Sequence, residues 1–253
     1  MKPLIVCGYS GTGKTSFIAK AVKGLKEAGF SVSYIKHSDR APVLSEIGKD
    51  TESIFERGTD AAVIVSPAFN AVYSRNADNT AGKSDRLRLR TLLNGMASEY
   101  VIIEGFKNYD GPIPKIVFGR NRNDIEGLKG SLTLGYSGIG LEDYMIRGLA
   151  FLSPSMSRKE IADYIVSSTI PFVADLDCGE CGFPTCREFA GELLAGRKEL
   201  SDCVPMHDDV KLLVNGKRVP LKGFVRSTLR DIIKAYIKNL HGIEEGKIQI
   251  RIC

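Results

Sequence analysis

The chain has 253 residues, of which 43% are hydrophobic and 26% charged. That is the balance of an ordinary globular protein, with room for one large domain or a medium one plus small additions. Its formal net charge of +5 comes from Lys and Arg scattered along the sequence, without basic blocks, so charge gives no reason to infer a nucleic-acid partner. No apolar run approaches the roughly 20 residues of a membrane span, and no charged-then-apolar leader is present. A cytoplasmic protein without membrane contact is expected.

Residues 3–7 (PLIVC) form an apolar run ending at Gly8, and Lys14 to Ala28 then repeat apolar residues at helical spacing before Gly29, which predicts strand, turn and helix. Ser31 to Ile35 predicts the next strand, Thr51 to Arg57 a short helix, and Ala61 to Ser66 (AAVIVS) a strand of the buried type. Ala71 to Ser74 can add another. A helix from Ser84 to Met96 leads to the apolar strand Tyr100 to Ile103, and Lys115 to Phe118 (KIVF) is a further strand. Residues 119–156 show no clear period, after which Ser157 and Glu160 form a capping box opening a helix through Val166.

Beyond Pro171 the composition changes. Four of the six cysteines fall at 178, 181, 186 and 203, with a helix expected over 187–200. Asn215-Gly216 between two short apolar runs signals a hairpin. Arg226 to Leu240 predicts an amphipathic helix with Leu229, Ile232, Ile233, Tyr236 and Ile237 on one face, and Lys247 to Ile252 alternates as a strand. The expected organisation is therefore a P-loop α/β unit with a mainly parallel sheet over residues 1–170, a four-cysteine unit over 171–205, and a ββαβ tail over 206–253 packed on its neighbours.

Gly8 to Thr15 (GYSGTGKT) fits G-x-x-x-x-G-K-[ST] at every fixed position and lies between a strand and a helix, as a nucleoside-triphosphate cradle requires. Gly8, Ser10, Gly11, Thr12, Gly13, Lys14, Thr15 and Ser16 are its candidate phosphate-binding residues. Lys14 would reach the β and γ phosphates and the Thr15 hydroxyl would complete the Mg²⁺ shell, with Glu104 at the end of its strand as second carboxylate. Lys14 and Glu104 are the catalytic candidates. Asn121 and Asp124 after KIVF suggest either a guanine-reading element, favouring GTP over ATP, or a polar surface turn.

Together these motifs resemble one family. Tyr34-Ile-Lys36-His37, Gly48-Lys49-Asp50-Thr51, Glu104-Gly105-Phe106-Lys107 and Lys115 to Phe118 follow the phosphate loop in an order and spacing similar to the molybdopterin-guanine dinucleotide biosynthesis protein B (MobB) family, over about residues 1–170. The resemblance implies a GTP-binding adaptor with weak GTPase activity, often homodimeric. Such proteins assist the guanylyltransferase MobA, which joins GMP to the molybdenum or tungsten pterin. Lys36, His37, Lys49 and Asp50 belong to loops expected near the carboxyl ends of strands, where nucleotide or an anionic pterin phosphate would bind.

The spacing C-x₂-C-x₄-C-x₁₆-C over Cys178, Cys181, Cys186 and Cys203 supplies four soft thiolates, three from one tight glycine-containing turn. It is similar to the [4Fe–4S] domain of the RnfB electron-transfer subunit and of corrinoid iron–sulfur proteins. A structural zinc site is the lesser alternative, since zinc more often uses two separated C-x₂-C pairs. The cluster leaves two further readings open beside the adaptor: nucleotide-gated electron transfer, and a scaffold docking a molybdenum or tungsten apoenzyme. Cys7 reads as a small buried residue and Cys253 as a terminal thiol.

Overall fold

The structure, a computed structural model, describes residues 1–37, 54, 57, 59, 61–67, 70–74, 85–141, 145–206, 210, 212–214 and 217–239. Its core is a six-stranded sheet of order β2-β5-β1-β6-β7-β8, formed by β1 (Lys2–Gly8), β2 (Val32–Lys36), β5 (Tyr100–Glu104), β6 (Lys115–Phe118), β7 (Thr133–Ser137) and β8 (Ala150–Phe151). Every neighbouring pair in it is parallel. The reason is legible in β1 and β5, where Leu4 to Cys7 and Val101 to Ile103 are wholly buried. Such strands have no polar face to turn to water, so both faces must be covered by helices.

One face packs Leu4, Val6, Ile102, Ile116 and Phe118 against α1 (Lys14–Glu27) and α4 (Arg158–Ser168). The other sets Ile5, Cys7, Val101, Ile103 and Val117 against Leu89 and Leu93 of α2 (Asp85–Asn94) and Ile125 and Leu128 of α3 (Arg122–Leu128). Each such side chain removed from water contributes about 1.5–3 kcal/mol. The α1–α4 contact is close because Gly24 stands where any Cβ would lie 2.2 Å from the Arg158 carbonyl oxygen. The capping box at α4 forms as expected, with both Ser157 and Glu160 engaged.

Three expectations need correction. Ala61 to Ser66 is not a buried strand of the parallel sheet. It pairs as β3 (Ala61–Val65) antiparallel with β4 (Asn70–Ser74) in a separate two-stranded sheet, and Val63, Val65 and Val72 are 56%, 79% and 67% exposed. An unbroken Val/Ile run records strand propensity, and burial depends on what lies opposite. The helix expected over 187–200 is α5 (Cys186–Leu194), ended early by Gly196 at φ 67°. The C-terminal helix, α6 (Gly223–Lys238), starts three residues before its predicted position and none of its residues is fully buried. Leu229, Ile233 and Ile237 are half-buried, whereas Ile232 and Tyr236 are 62% and 71% exposed.

The stretch 119–156, unreadable by period, supplies α3, β7 and β8. The hairpin around Asn215-Gly216 is present as β9 (Leu212–Val214) and β10 (Lys217–Val219), antiparallel; its turn lies outside the described residues. So do most of the predicted helix at 51–57 and the strand at 247–252. Among the described residues no helix is long and apolar enough to cross a membrane.

Candidate functional site

The turn between β1 and α1 sits where chain order reverses in the sheet, β1 lying between β5 and β6, the place at which open α/β sheets take their ligands. Gly8, Gly11 and Gly13 have φ of 151°, 73° and 90°. At Gly8 a Cβ would stand 2.1 Å from the Phe118 carbonyl oxygen, so the loop can leave the sheet here only as glycine. Gly13 caps α1 without any side-chain hydrogen bond, which leaves the N-terminal N–H groups and their partial positive charge directed at the loop's concavity.

Thr12 is buried and its hydroxyl donates to the Tyr9 carbonyl at 2.8 Å. The Lys14 ammonium folds back onto the same carbonyl. Burial pulls Lys14 below the usual lysine range, while Glu104 works to hold its charge. Ser10, Gly11, Gly13, Thr15 and Ser16 are exposed, so the groups expected to meet phosphate and Mg²⁺ face outward. A cradle lined by N–H groups, one ammonium and a hydroxyl suits a magnesium-bound polyphosphate.

Glu104 ends β5 opposite Val6 on one side and Lys36 on the other. It is 8% exposed and accepts a 2.5 Å hydrogen bond from the Tyr34 hydroxyl at Oε2, with Lys36 Nζ 3.9 Å from Oε1. Burial and then this bond push the Tyr34 phenol well above its ordinary range. The His37 backbone N–H donates to the Glu104 carbonyl at 2.9 Å. The His37 ring lies 4.3 Å from that of Phe106, with Nε2 3.7 Å from Asp85 Oδ2. The expected set of Lys14, Glu104, Lys36 and His37 thus gathers at one end of three neighbouring strands; Lys49 and Asp50 lie outside the described residues.

Sequence reasoning missed Tyr34 here, although its two-residue spacing from Lys36 puts both on one face of β2. It also missed the rim. Lys107 Nζ and Arg120 Cζ lie 4.7 and 4.8 Å from the centroid of the Tyr9 ring, adding two cations beside the loop. Asn121 and Asp124 fill local roles instead: Asn121 caps α3 by accepting the Asp124 N–H at 2.9 Å, and Asp124 pairs with Arg120 at 2.8 Å.

Three of the four cysteines meet in a second small core. Cys186 and Cys203 are buried in one small core with Val173, Ala174 and Phe189, and Cys181 packs against it; Cys178 and Cys181 both act electrostatically on Cys203. Gly179 and Gly182, at φ 77° and 85°, let the turn between the first three fold tightly. The Asp177 backbone N–H donates to Cys186 Sγ at 3.3 Å, and backbone hydrogen bonding also works to lower the Cys178 and Cys203 thiols. Burial nevertheless raises these thiols, Cys186 to about 11, so a cationic centre is what would turn them into thiolates. None of the four is in a disulfide. Among the described residues no three His, Cys, Asp or Glu side chains converge on a position for a single metal ion. Four soft donors, one of them accepting a backbone N–H at its sulfur, are the donor chemistry that an iron–sulfur cluster needs.

Fold and site together define a P-loop α/β protein with an appended four-cysteine unit. Residues 4–131, just over half of the chain, match the family model "Molybdopterin guanine dinucleotide synthesis protein B", and the chain belongs to this MobB family. Residues 175–205 match a second model, "Putative Fe-S cluster". A Methanocaldococcus jannaschii protein named "Putative molybdopterin-guanine dinucleotide biosynthesis adapter protein" is 26% identical over 252 residues, 98% of this chain and 95% of that one. The Haemophilus influenzae molybdopterin-guanine dinucleotide biosynthesis adapter protein is 32% identical over 124 residues, 47% of this chain and 64% of its own. The crystal structure of Bacillus subtilis MobB superimposes with a TM-score of 0.54 at 21% identity, covering 68% of this chain and all of that one, which is a likeness of fold.

Proposed function

We propose that this protein is a GTP-binding accessory of molybdopterin guanine dinucleotide synthesis, acting with a MobA-type guanylyltransferase on a molybdenum or tungsten pterin and hydrolysing GTP slowly at most. The observation that carries the reading is the phosphate loop with Glu104 one strand away in register, in a chain of the MobB family. In this reading the loop from Gly8 to Ser16 binds the triphosphate, Lys14 neutralises its terminal phosphates, and Thr15 and Glu104 hold Mg²⁺. Lys36 and His37, with Lys49 and Asp50, contact nucleotide or pterin phosphate. Cys178, Cys181, Cys186 and Cys203 hold the [4Fe–4S] cluster, which when bound supplies one-electron chemistry or a structural staple. The chain is organised as units 1–170, 171–205 and 206–253, the last packed on its neighbours, and the protein works in the cytoplasm as a homodimer.

Calorimetric titration with GTP and ATP in the presence of Mg²⁺ tests the nucleotide half. GTP should bind well and ATP weakly, and Lys14→Ala should lose binding by more than about tenfold, as expected for removing a buried-side charge contact to phosphate. Tight ATP binding with no response to GTP would sink the proposal. Adding the protein to a MobA-type enzyme should raise formation of the guanylylated pterin.

A further inference from the structure

The segment leading into the cysteines is held by a long-range clamp. Asp175 and Asp177 both occupy the left-handed region, with φ of 54° and 45°, a conformation costing a non-glycine residue about 1–3 kcal/mol unless its surroundings enforce it. An arginine from far earlier in the chain enforces it. Arg86, in the first turn of α2, sets Nε 2.8 Å and Nη2 2.5 Å from Asp175 Oδ1, and Nη1 2.8 Å from Asp177 Oδ2. One turn along, Arg90 Nη1 donates to the Asp175 carbonyl at 2.8 Å. The Asp175 side chain is 1% exposed and its Oδ2 has no hydrogen-bond partner among the described residues, so only a fixed cation beside it makes that burial tolerable.

From Asp177 the contacts pass directly to a cysteine. Its Oδ1 accepts the Cys186 backbone N–H at 2.6 Å, and its own backbone N–H donates to Cys186 Sγ at 3.3 Å. The orientation of the peptide that carries this second bond is the one Arg86 fixes, by gripping the carboxylates on both sides of Leu176.

We propose that Arg86 is a positioning residue for the iron–sulfur centre: by clamping Asp175 and Asp177 it aims the Asp177 N–H at the Cys186 sulfur and thereby sets the reduction potential of the group held by the four cysteines. The inference rests on the four-thiolate reading above. An N–H group directed at a ligating sulfur withdraws electron density and favours the reduced state, and a nearby guanidinium acts in the same direction. Without Arg86, the Asp177 carboxylate beside the sulfur would lose its cation, Asp175 would keep only Arg90, and the Asp177 peptide would be free to turn. These changes disfavour adding an electron.

The test uses full-length protein reconstituted anaerobically with iron and sulfide, as wild type, Arg86→Met and Arg86→Lys. The readouts are iron and sulfide content, the electron paramagnetic resonance spectrum after reduction, the midpoint potential by redox titration, and GTP affinity as a check that the phosphate-loop unit is folded. Arg86→Met should keep its GTP affinity, shift its midpoint to more negative potential and change its spectrum. Arg86→Lys, which keeps the charge but not the two-pronged grip, should fall between. Should Arg86→Met assemble no cluster, Arg86→Lys decides: a negative shift supports the proposal and a wild-type potential overturns it. A wild-type potential and spectrum in Arg86→Met overturns the proposal and leaves the four-thiolate reading standing. Wild-type protein that takes up no iron and sulfide overturns both.

Discussion

Glycine 8 shows how closely one residue can be bound to the candidate site. Its φ of 151° and the 2.1 Å approach of the Phe118 carbonyl to a built Cβ leave no room for a methyl group. Gly8→Ala should therefore destabilise the protein by about 1–3 kcal/mol, as overpacking does, and should weaken nucleotide binding more than the stability loss explains; denaturant titration and calorimetry separate the two. Glu104 makes a different kind of prediction. Glu104→Gln can keep the Tyr34 bond through its side-chain oxygen, so the fold should persist. GTP affinity measured in EDTA should stay near wild type, and most of the gain conferred by Mg²⁺ should vanish. An unchanged magnesium dependence would remove Glu104 from the metal site. At this scale the phosphate loop and the four cysteines were legible because each is a local pattern with fixed spacing. Tyr34, Arg86 and Glu180 were not, since each acts on residues distant in sequence.

At the scale of elements, the α1–α4 contact decides between two opposing effects. Gly24→Ala raises helix propensity by up to about 1 kcal/mol, but places a methyl 2.2 Å from the Arg158 carbonyl oxygen. The steric term should win, since backbone cannot swing aside as a side chain can. A net loss of about 1–2 kcal/mol is expected by denaturant unfolding, and a gain would show that α4 moves freely. α4, with its capping box, and α1, with its apolar spacing and its Gly29 stop, were readable in advance. The seven-residue α3 was not, because it is too short to show a period and its Asn121 cap reads equally as a loop residue.

Across the whole molecule, the phosphate-loop unit, the cysteine unit and the tail are tied together, with β10 of the tail also lying against α2. Arg86 joins the first to the second. Glu180, between Cys178 and Cys181, joins the second to the third: it accepts the Gly223 N–H at 2.5 Å and pairs with Arg226 at 2.8 Å, capping the start of α6. Stripping iron anaerobically with a chelator should therefore expose the amides of residues 223–238 to hydrogen exchange while α1 stays protected. Equal protection with and without iron would show that the tail holds itself.

The sequence by itself determined the parallel sheet, the phosphate loop and the four-thiol set, because hydrophobic period, glycine placement and cysteine spacing act over a few neighbouring residues. Only the tertiary structure decided that Ala61 to Val65 turns away from the main sheet, that Glu104 meets Tyr34 and Lys36, and that Arg86 grips the approach to Cys186. Those outcomes depend on which strands become neighbours and which buried charges find partners, and such pairings are settled when the whole chain packs.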